Sequence, residues 1–356
     1  MNPTFNKSVT ALAALAALGA VALGAAPTAA QSMDPTLAAR HEAAKKEGKV
    51  TLYGVDTAEL LQQLGDAFKK QFPGVAFDYF RSDSSAMYQR LEAEAAAGRH
   101  VADAIMLTAD RSEIMEGKNE LLKIDSPVAK AYPPGIQPTS GYWYNYGLNV
   151  VAFAYNTDLV KVGEAPKTWA DLLDPKWKGK IGMQDPKAGA GGAHAWVARM
   201  HKVMGEEKWA PFMDAMGKQI ARYGAYLPVR EALVGGEIHI QLAAYPDFTE
   251  PLKLKGAKIE WATPEPMFFV GLTIQANAKA PNPNAAKLFV DFMLTDDAQK
   301  IIAAAGKIPA RPESRPGGFA RLNTAKMEPM DPNKLWVNRD KAWFDQNIQK
   351  WFVVNR

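Results

Sequence analysis

Three short stretches of this 356-residue chain place polar groups at spacings suited to holding a small anion. The first is Arg81-Ser82-Asp83-Ser84-Ser85, which follows a predicted strand over 75–80 and opens a predicted helix over 86–97. Backbone N–H groups at a helix start, the positive end of its dipole, two hydroxyls and a guanidinium together make an anion site. The same serines can serve only as helix caps, with Arg81 paired to a nearby carboxylate. The second stretch is Gly54-Val55-Asp56-Thr57, after a predicted strand over 49–53; Thr108 stands in the equivalent place after a third, over 104–107. The third is Asp185-Pro186-Lys187-Ala188-Gly189-Ala190-Gly191-Gly192-Ala193-His194. Its glycines permit close backbone approach to a ligand, and a flexible turn has the same composition. It lacks the Gly-Lys-Ser/Thr ending of a nucleotide-phosphate loop.

Residue types for other chemistry are missing from the sequence. There is no cysteine, which removes disulfides, thiolate metal sites and cysteine nucleophiles. No nucleophile elbow and no His-Glu-x-x-His helix occurs. The five histidines are His41, His100, His194, His201 and His239; His194 and His201 lie seven apart, with no matching carboxylate. The pattern calls for no cofactor and no resident metal. Net charge is +4, with Lys and Arg scattered among Asp and Glu, so the basic stripe of a nucleic-acid interface is missing.

The elements that must position these groups follow from periodicity. Residues 1–30 read as a cleavable secretory signal: Lys7, an apolar run over 11–23, then Pro27-Thr28-Ala29-Ala30 before Gln31. That run is too short to span a membrane. Asp56 with Glu59 predicts a capping box, ahead of the helical stripe Leu60, Leu61, Leu64 and Phe68 that Pro73-Gly74 ends. Strands alternating with helices at this spacing predict a parallel, doubly wound sheet. A strand over 149–155 leads out of this unit into a second α/β region with helices over 193–204 and 208–216. A strand over 267–275 returns, followed by an amphipathic helix pair over 284–305. The tail from Ser314 is expected to wrap over the first unit.

Three segments resemble the extracellular solute-binding proteins of bacterial ABC importers, in the branch of ferric-ion, polyamine, phosphonate and sugar-phosphate binders. They are Tyr155-Asn156-Thr157-Asp158 with the run from Pro166 to Ile181, including Lys167-Thr168-Trp169-Ala170-Asp171-Leu172-Leu173-Asp174-Pro175-Lys176-Trp177-Lys178-Gly179; Arg230-Glu231-Ala232-Leu233-Val234-Gly235-Gly236-Glu237-Ile238; and Ala285-Ala286-Lys287-Leu288-Phe289-Val290-Asp291-Phe292-Met293-Leu294 with Asp297, Gln299, Gly306 and Pro309. The resemblance implies two α/β lobes joined by crossing hinge segments, with the ligand in the cleft between them. The first lobe is then 31–150 plus 267–356, and the second 151–266 with the hinge strands.

The family context makes Gly191, Gly192 and Ala193 expected amide donors to an anion; His194 either enters the cleft or serves structurally. It also puts a ligand-contacting tyrosine at Tyr245. Ferric-binding relatives carry two adjacent tyrosines there, whereas this chain reads Tyr245-Pro246-Asp247. The implied function is capture of a small anionic solute and delivery to ABC permease subunits, by a monomer. The main alternative is ferric iron, with Tyr245 as first ligand; a periplasmic enzyme or a sensor-linked binder is the alternative of another class.

Overall fold

The computed structural model describes residues 34–188, 191–329 and 341–352; the predicted leader lies outside them. Its strands are β1 (Lys49–Gly54), β2 (Ala76–Arg81), β3 (Ala104–Thr108), β4 (Trp143–Asn156), β5 (Ile181–Gln184), β6 (Ile220–Gly224), β7 (Ile240–Ala244), β8 (Ile259–Trp261), β9 (Met267–Ala276), β10 (Ile308–Pro309) and β11 (Met327–Pro329). The helices are α1 (Pro35–Glu47), α2 (Ala58–Gln71), α3 (Ser84–Ala96), α4 (Ala109–Gly117), α5 (Gly191–Met204), α6 (Glu206–Gln219), α7 (Tyr226–Val234), α8 (Pro246–Leu254), α9 (Pro283–Met293), α10 (Asp296–Ala304) and α11 (Lys341–Trp351). No helix among the described residues is long and apolar enough to cross a membrane.

Local sequence explains most of these elements. In α2 the apolar stripe turns inward, and Leu60, Leu61, Leu64 and Phe68 are all buried. The cap differs from the expected box: Thr57 Oγ1 accepts the Leu60 N–H at 3.3 Å. Asp56 is drawn elsewhere, as described below.

The strands run in the order β2-β1-β3-β9-β4-β7-β5-β6. Strand β1 pairs in parallel with β2 and β3, and β5 in parallel with β6 and β7. These parallel sets form the two doubly wound lobes. The seam between them is antiparallel, unlike the all-parallel expectation. Strand β4 pairs with β9 as far as Val151, then with β7 and β8 from Ala152 onward. One strand of 14 residues therefore belongs to both lobes, and the return runs through β9. Antiparallel pairing is what a chain that crosses and comes straight back must adopt.

Two cores flank this seam. In the first lobe Phe68 packs edge-on against Phe289 at 5.1 Å and near Phe292 at 5.5 Å, joining α2 to α9. In the second, Trp169 stacks on Phe268 at 6.1 Å, and Trp196 and Trp209 are fully buried. The tail divides between them. β11 pairs with β9, but α11 lies on α6, with Trp351 edge-on to Trp209 at 4.7 Å and Ile348 and Phe352 in the second core. The expectation that the whole tail covers the first lobe is thus corrected for 341–352. The apolar face of α11 finds its matching aromatic surface on the second lobe.

Candidate functional site

The carboxyl ends of the parallel strands set out the site, as in open α/β sheets generally. After β1 the chain turns through Val55, Asp56 and Thr57 into α2. Asp56 is only 6% exposed, and both its oxygens are engaged. The Tyr146 hydroxyl donates to Oδ2 at 2.6 Å, and the Lys307 ammonium stands 3.2 Å from Oδ1. Asp56 also accepts at its backbone carbonyl, from Arg81 Nε at 2.6 Å. No carboxylate among the described residues forms an ion pair with Arg81, so the paired-carboxylate reading of this arginine fails. Its side chain is exposed beside the start of α3.

The cap of α3 is Asp83, whose Oδ1 accepts the Ala86 N–H at 3.0 Å. Ser84 is left to face Thr108, with 3.3 Å between their hydroxyl oxygens. The Ser85 side chain lies outside the described set. The first lobe thus gathers Asp56 and Arg81 in direct contact and joins Ser84 to Thr108, while Thr57 is spent on α2.

On the second lobe the glycine stretch leads into α5 beside Tyr245. The Gly192 amide lies near the Tyr245 hydroxyl and favours its ionised form. A Cβ on Gly192 would come within 2.5 Å of that oxygen, which is why this position needs glycine. Gly191 and Ala193 belong to the first turn of α5, whose amides have no partner inside the helix. The Ala193 side chain itself is core. His194 is buried, and its Nδ1 donates to the Pro186 carbonyl at 3.0 Å, tying the loop to α5.

Tyr245 follows β7 and precedes α8. Its N–H donates to the Tyr226 hydroxyl at 3.0 Å. Burial pushes its phenol up to about 12, with the charge of Asp247 adding to the effect and the Gly192 amide opposing it. Tyr226, Tyr245 and Phe248 form an aromatic group with ring centroids 5.0, 5.6 and 6.0 Å apart. Beside them Asp247, 8% exposed, sits in the first turn of α8. Desolvation raises its carboxyl to about 6; Lys307 pulls it down and Asp56 pushes it up. Those two influences come from the first lobe, so Asp247 faces across the seam.

Two bulges aim these groups. Between Asn145 and Gly147 the β4–β9 register shifts, leaving Tyr146 without an opposite residue and free to reach Asp56. Its carbonyl is held by Gln299 Nε2 at 2.9 Å. Between Ala152 and Phe153 the β4–β7 register shifts again, and Ala243 adopts φ +55°. A left-handed alanine is strained by about 1–2 kcal/mol, and such strain collects at functional sites. Ala243→Gly is expected to keep or raise stability by up to about 1 kcal/mol, since relief of strain outweighs the extra unfolded-state freedom of glycine. Ala243→Val should instead lower it. Urea unfolding of both variants checks this.

Comparison with known proteins fits this geometry. The family model described as bacterial extracellular solute-binding protein matches residues 63–328. The chain belongs to that family. A Haemophilus influenzae protein of uncharacterized role is 27% identical over 331 residues, covering 88% of this chain and 90% of that one. The putative 2-aminoethylphosphonate-binding periplasmic protein of Salmonella typhimurium is 24% identical over 324 residues, covering 86% and 87%. The Trichodesmium protein solved with iron and citrate aligns with TM-score 0.73 at 19% identity, covering 85% and 100%. The last is a likeness of fold, that of a type II periplasmic binding protein.

The strand-end reading named Asp56, Arg81, Ser84, Thr108 and Tyr245, which the structure places at or just beyond strand ends. It gave no role to Tyr226, Asp247 or Lys307, which the structure puts near Tyr245 and Asp56. Asp247 stood two residues after Tyr245, and Lys307 stood between the quoted Gly306 and Pro309. Nothing in their spacing ties them to Asp56.

Proposed function

We propose that this chain is the periplasmic solute-binding subunit of an ABC importer, and that it captures a small organic anion bearing phosphate, phosphonate or carboxylate. The observation that carries the reading is Arg81: a guanidinium at a helix start, at the carboxyl ends of β1 and β2, with no carboxylate ion pair among the described residues. Ser84 and Thr108 add hydroxyls beside it. The ligand class named for the Salmonella relative agrees with this chemistry. Residues 1–30 act as a leader removed on export, the mature monomer closes its cleft on the solute, and permease subunits receive it.

Ferric iron is the second reading, supported by the iron and citrate bound to the Trichodesmium relative and by the position of Tyr245. Against it, Pro246 replaces a second tyrosine, and burial disfavours the phenolate of Tyr245 that iron would need. The test is calorimetric and thermal-shift titration of the mature protein with phosphonates, sugar phosphates, carboxylates and ferric citrate. An organic anion should raise the melting temperature by mass action, and ferric citrate should leave the protein colourless. A stoichiometric visible band, lost in Tyr245→Phe, would make iron the ligand.

A further inference from the structure

Asp247 is a buried carboxylate without a full set of partners. Its own backbone N–H reaches it, while Oδ1 has no hydrogen-bond partner among the described residues. The charged groups that face it are Lys307 and Asp56. The Lys307 ammonium is already placed 3.2 Å from Asp56 Oδ1. That ammonium is thus paired with Asp56, and Asp247 has no ion pair of its own among the described residues, so the group lacks one positive charge when both acids are ionised. Near Asp247 stand Tyr245 and Tyr226, which form a tilted aromatic group with Phe248. Aromatic rings present negative faces that attract cations.

A proton or a cation would complete the group. An ammonium supplies up to three donors to the unpartnered oxygen and its surroundings, and it is attracted by the aromatic faces as well. A metal dication would want further hard oxygen ligands, and among the described residues no group of three His, Asp or Glu side chains is placed to hold one. A bulkier guanidinium would take both oxygens of one carboxylate for its fork, and the residue's own backbone N–H already reaches the Asp247 carboxylate.

We propose that Asp247 receives the ammonium group of the bound solute, which is therefore a small zwitterion spanning the two lobes: cation at Asp247, anion at Arg81. The assignment rests on the anion reading of Arg81 given above. It gives the cleft a means of rejecting plain anions. A solute lacking the ammonium leaves Asp247 buried and unpaired, and sites built to hydrogen-bond a group reject analogues that lack it.

The test uses three pairs that differ only by the ammonium: 2-aminoethylphosphonate and ethylphosphonate, phosphoethanolamine and ethyl phosphate, β-alanine and propionate. Affinities of the mature protein are measured calorimetrically at pH 8. The amino member of the pair whose anion fits should bind roughly 10- to 100-fold tighter, the scale of a hydrogen bond to a charged group. In Asp247→Asn that ratio should collapse toward one, with the affinity for the plain anion kept. Asp247→Glu, which keeps the charge, should retain a preference for the amino member. An equal ratio in wild type and Asp247→Asn, or equal affinities within every pair, overturns the ammonium assignment and leaves anion capture standing. Failure of all six compounds to bind overturns both readings.

Discussion

Replacing Arg81 with alanine is expected to weaken solute binding by about 2–5 kcal/mol, roughly 30- to several-thousand-fold, the scale for truncating one member of a charge pair that closure buries. In the ligand-free protein the side chain is exposed and anchored through Nε to the Asp56 carbonyl. That anchor leaves the outer nitrogens to face an incoming anion as a planar fork. Arg81→Lys should recover only part of the loss, because an ammonium is a point charge and cannot make two parallel bonds. Loss of the Nε bond alone should cost about 1 kcal/mol of stability. The two roles separate by measurement. A purely structural Arg81 would lower the melting temperature and leave affinity unchanged, whereas an anion clamp moves affinity by far more. Unchanged affinity in Arg81→Ala removes this residue from the site.

Asp247→Asn is expected to make the ligand-free protein more stable at neutral pH. Burial raises the Asp247 carboxyl from 3.8 in the unfolded chain to about 6 in the folded one. The folded state therefore holds this proton more tightly than the unfolded state does. Stability from this group is greatest below about pH 4, falls as pH rises between about 4 and 6, and stays at its lower level above that. A shift of about two pH units corresponds to about 3 kcal/mol, less whatever the neutral amide costs to bury. The variant should thus gain up to that amount at pH 7–8, and the gain should vanish toward pH 4. Denaturant unfolding of both proteins at several pH values measures it. Curves that stay parallel from pH 4 to pH 8 would show that Asp247 is not destabilised by its surroundings. The coupling of this result to binding is direct: a site that costs stability when empty and regains it from a cation trades fold stability for recognition.

The fold was legible because its signals are local. Apolar periodicity located β1, α2, β3 and the α9–α10 pair, and alternation of strand and helix gave the parallel sets on each lobe. The same local logic misled where two residues competed for one task. Asp56 and Thr57 both suit a helix start, as do Asp83, Ser84 and Ser85, and sequence gives no ranking among such neighbours. In the folded protein Thr57 and Asp83 take the caps, because Asp56 is drawn to the hydroxyl of Tyr146, 90 residues away. The placement of α11 on the second lobe was hidden for a like reason: its apolar face suits either core, and only the aromatic surface around Trp209 decides.

By itself the sequence determined that this is a two-lobed α/β protein, that it carries the segments of a solute-binding family, and that polar groups follow its strands at Asp56, Arg81, Ser84, Thr108 and Tyr245. The strands, helices and strand-end loops need only nearest-neighbour chemistry, periodicity and turn residues, whereas the paired lobes with a cleft between them are what the family resemblance implies. Only the tertiary structure decided which charges face one another. Asp56, Asp247 and Lys307 come from distant parts of the chain and meet through the antiparallel seam of β4, β7 and β9 and the bulges at Tyr146 and Ala243. A bulge is set by how two paired strands share their register. The unpaired state of Asp247 is likewise a property of what packs around it, since charge balance in a buried cluster depends on distances through space and not along the chain.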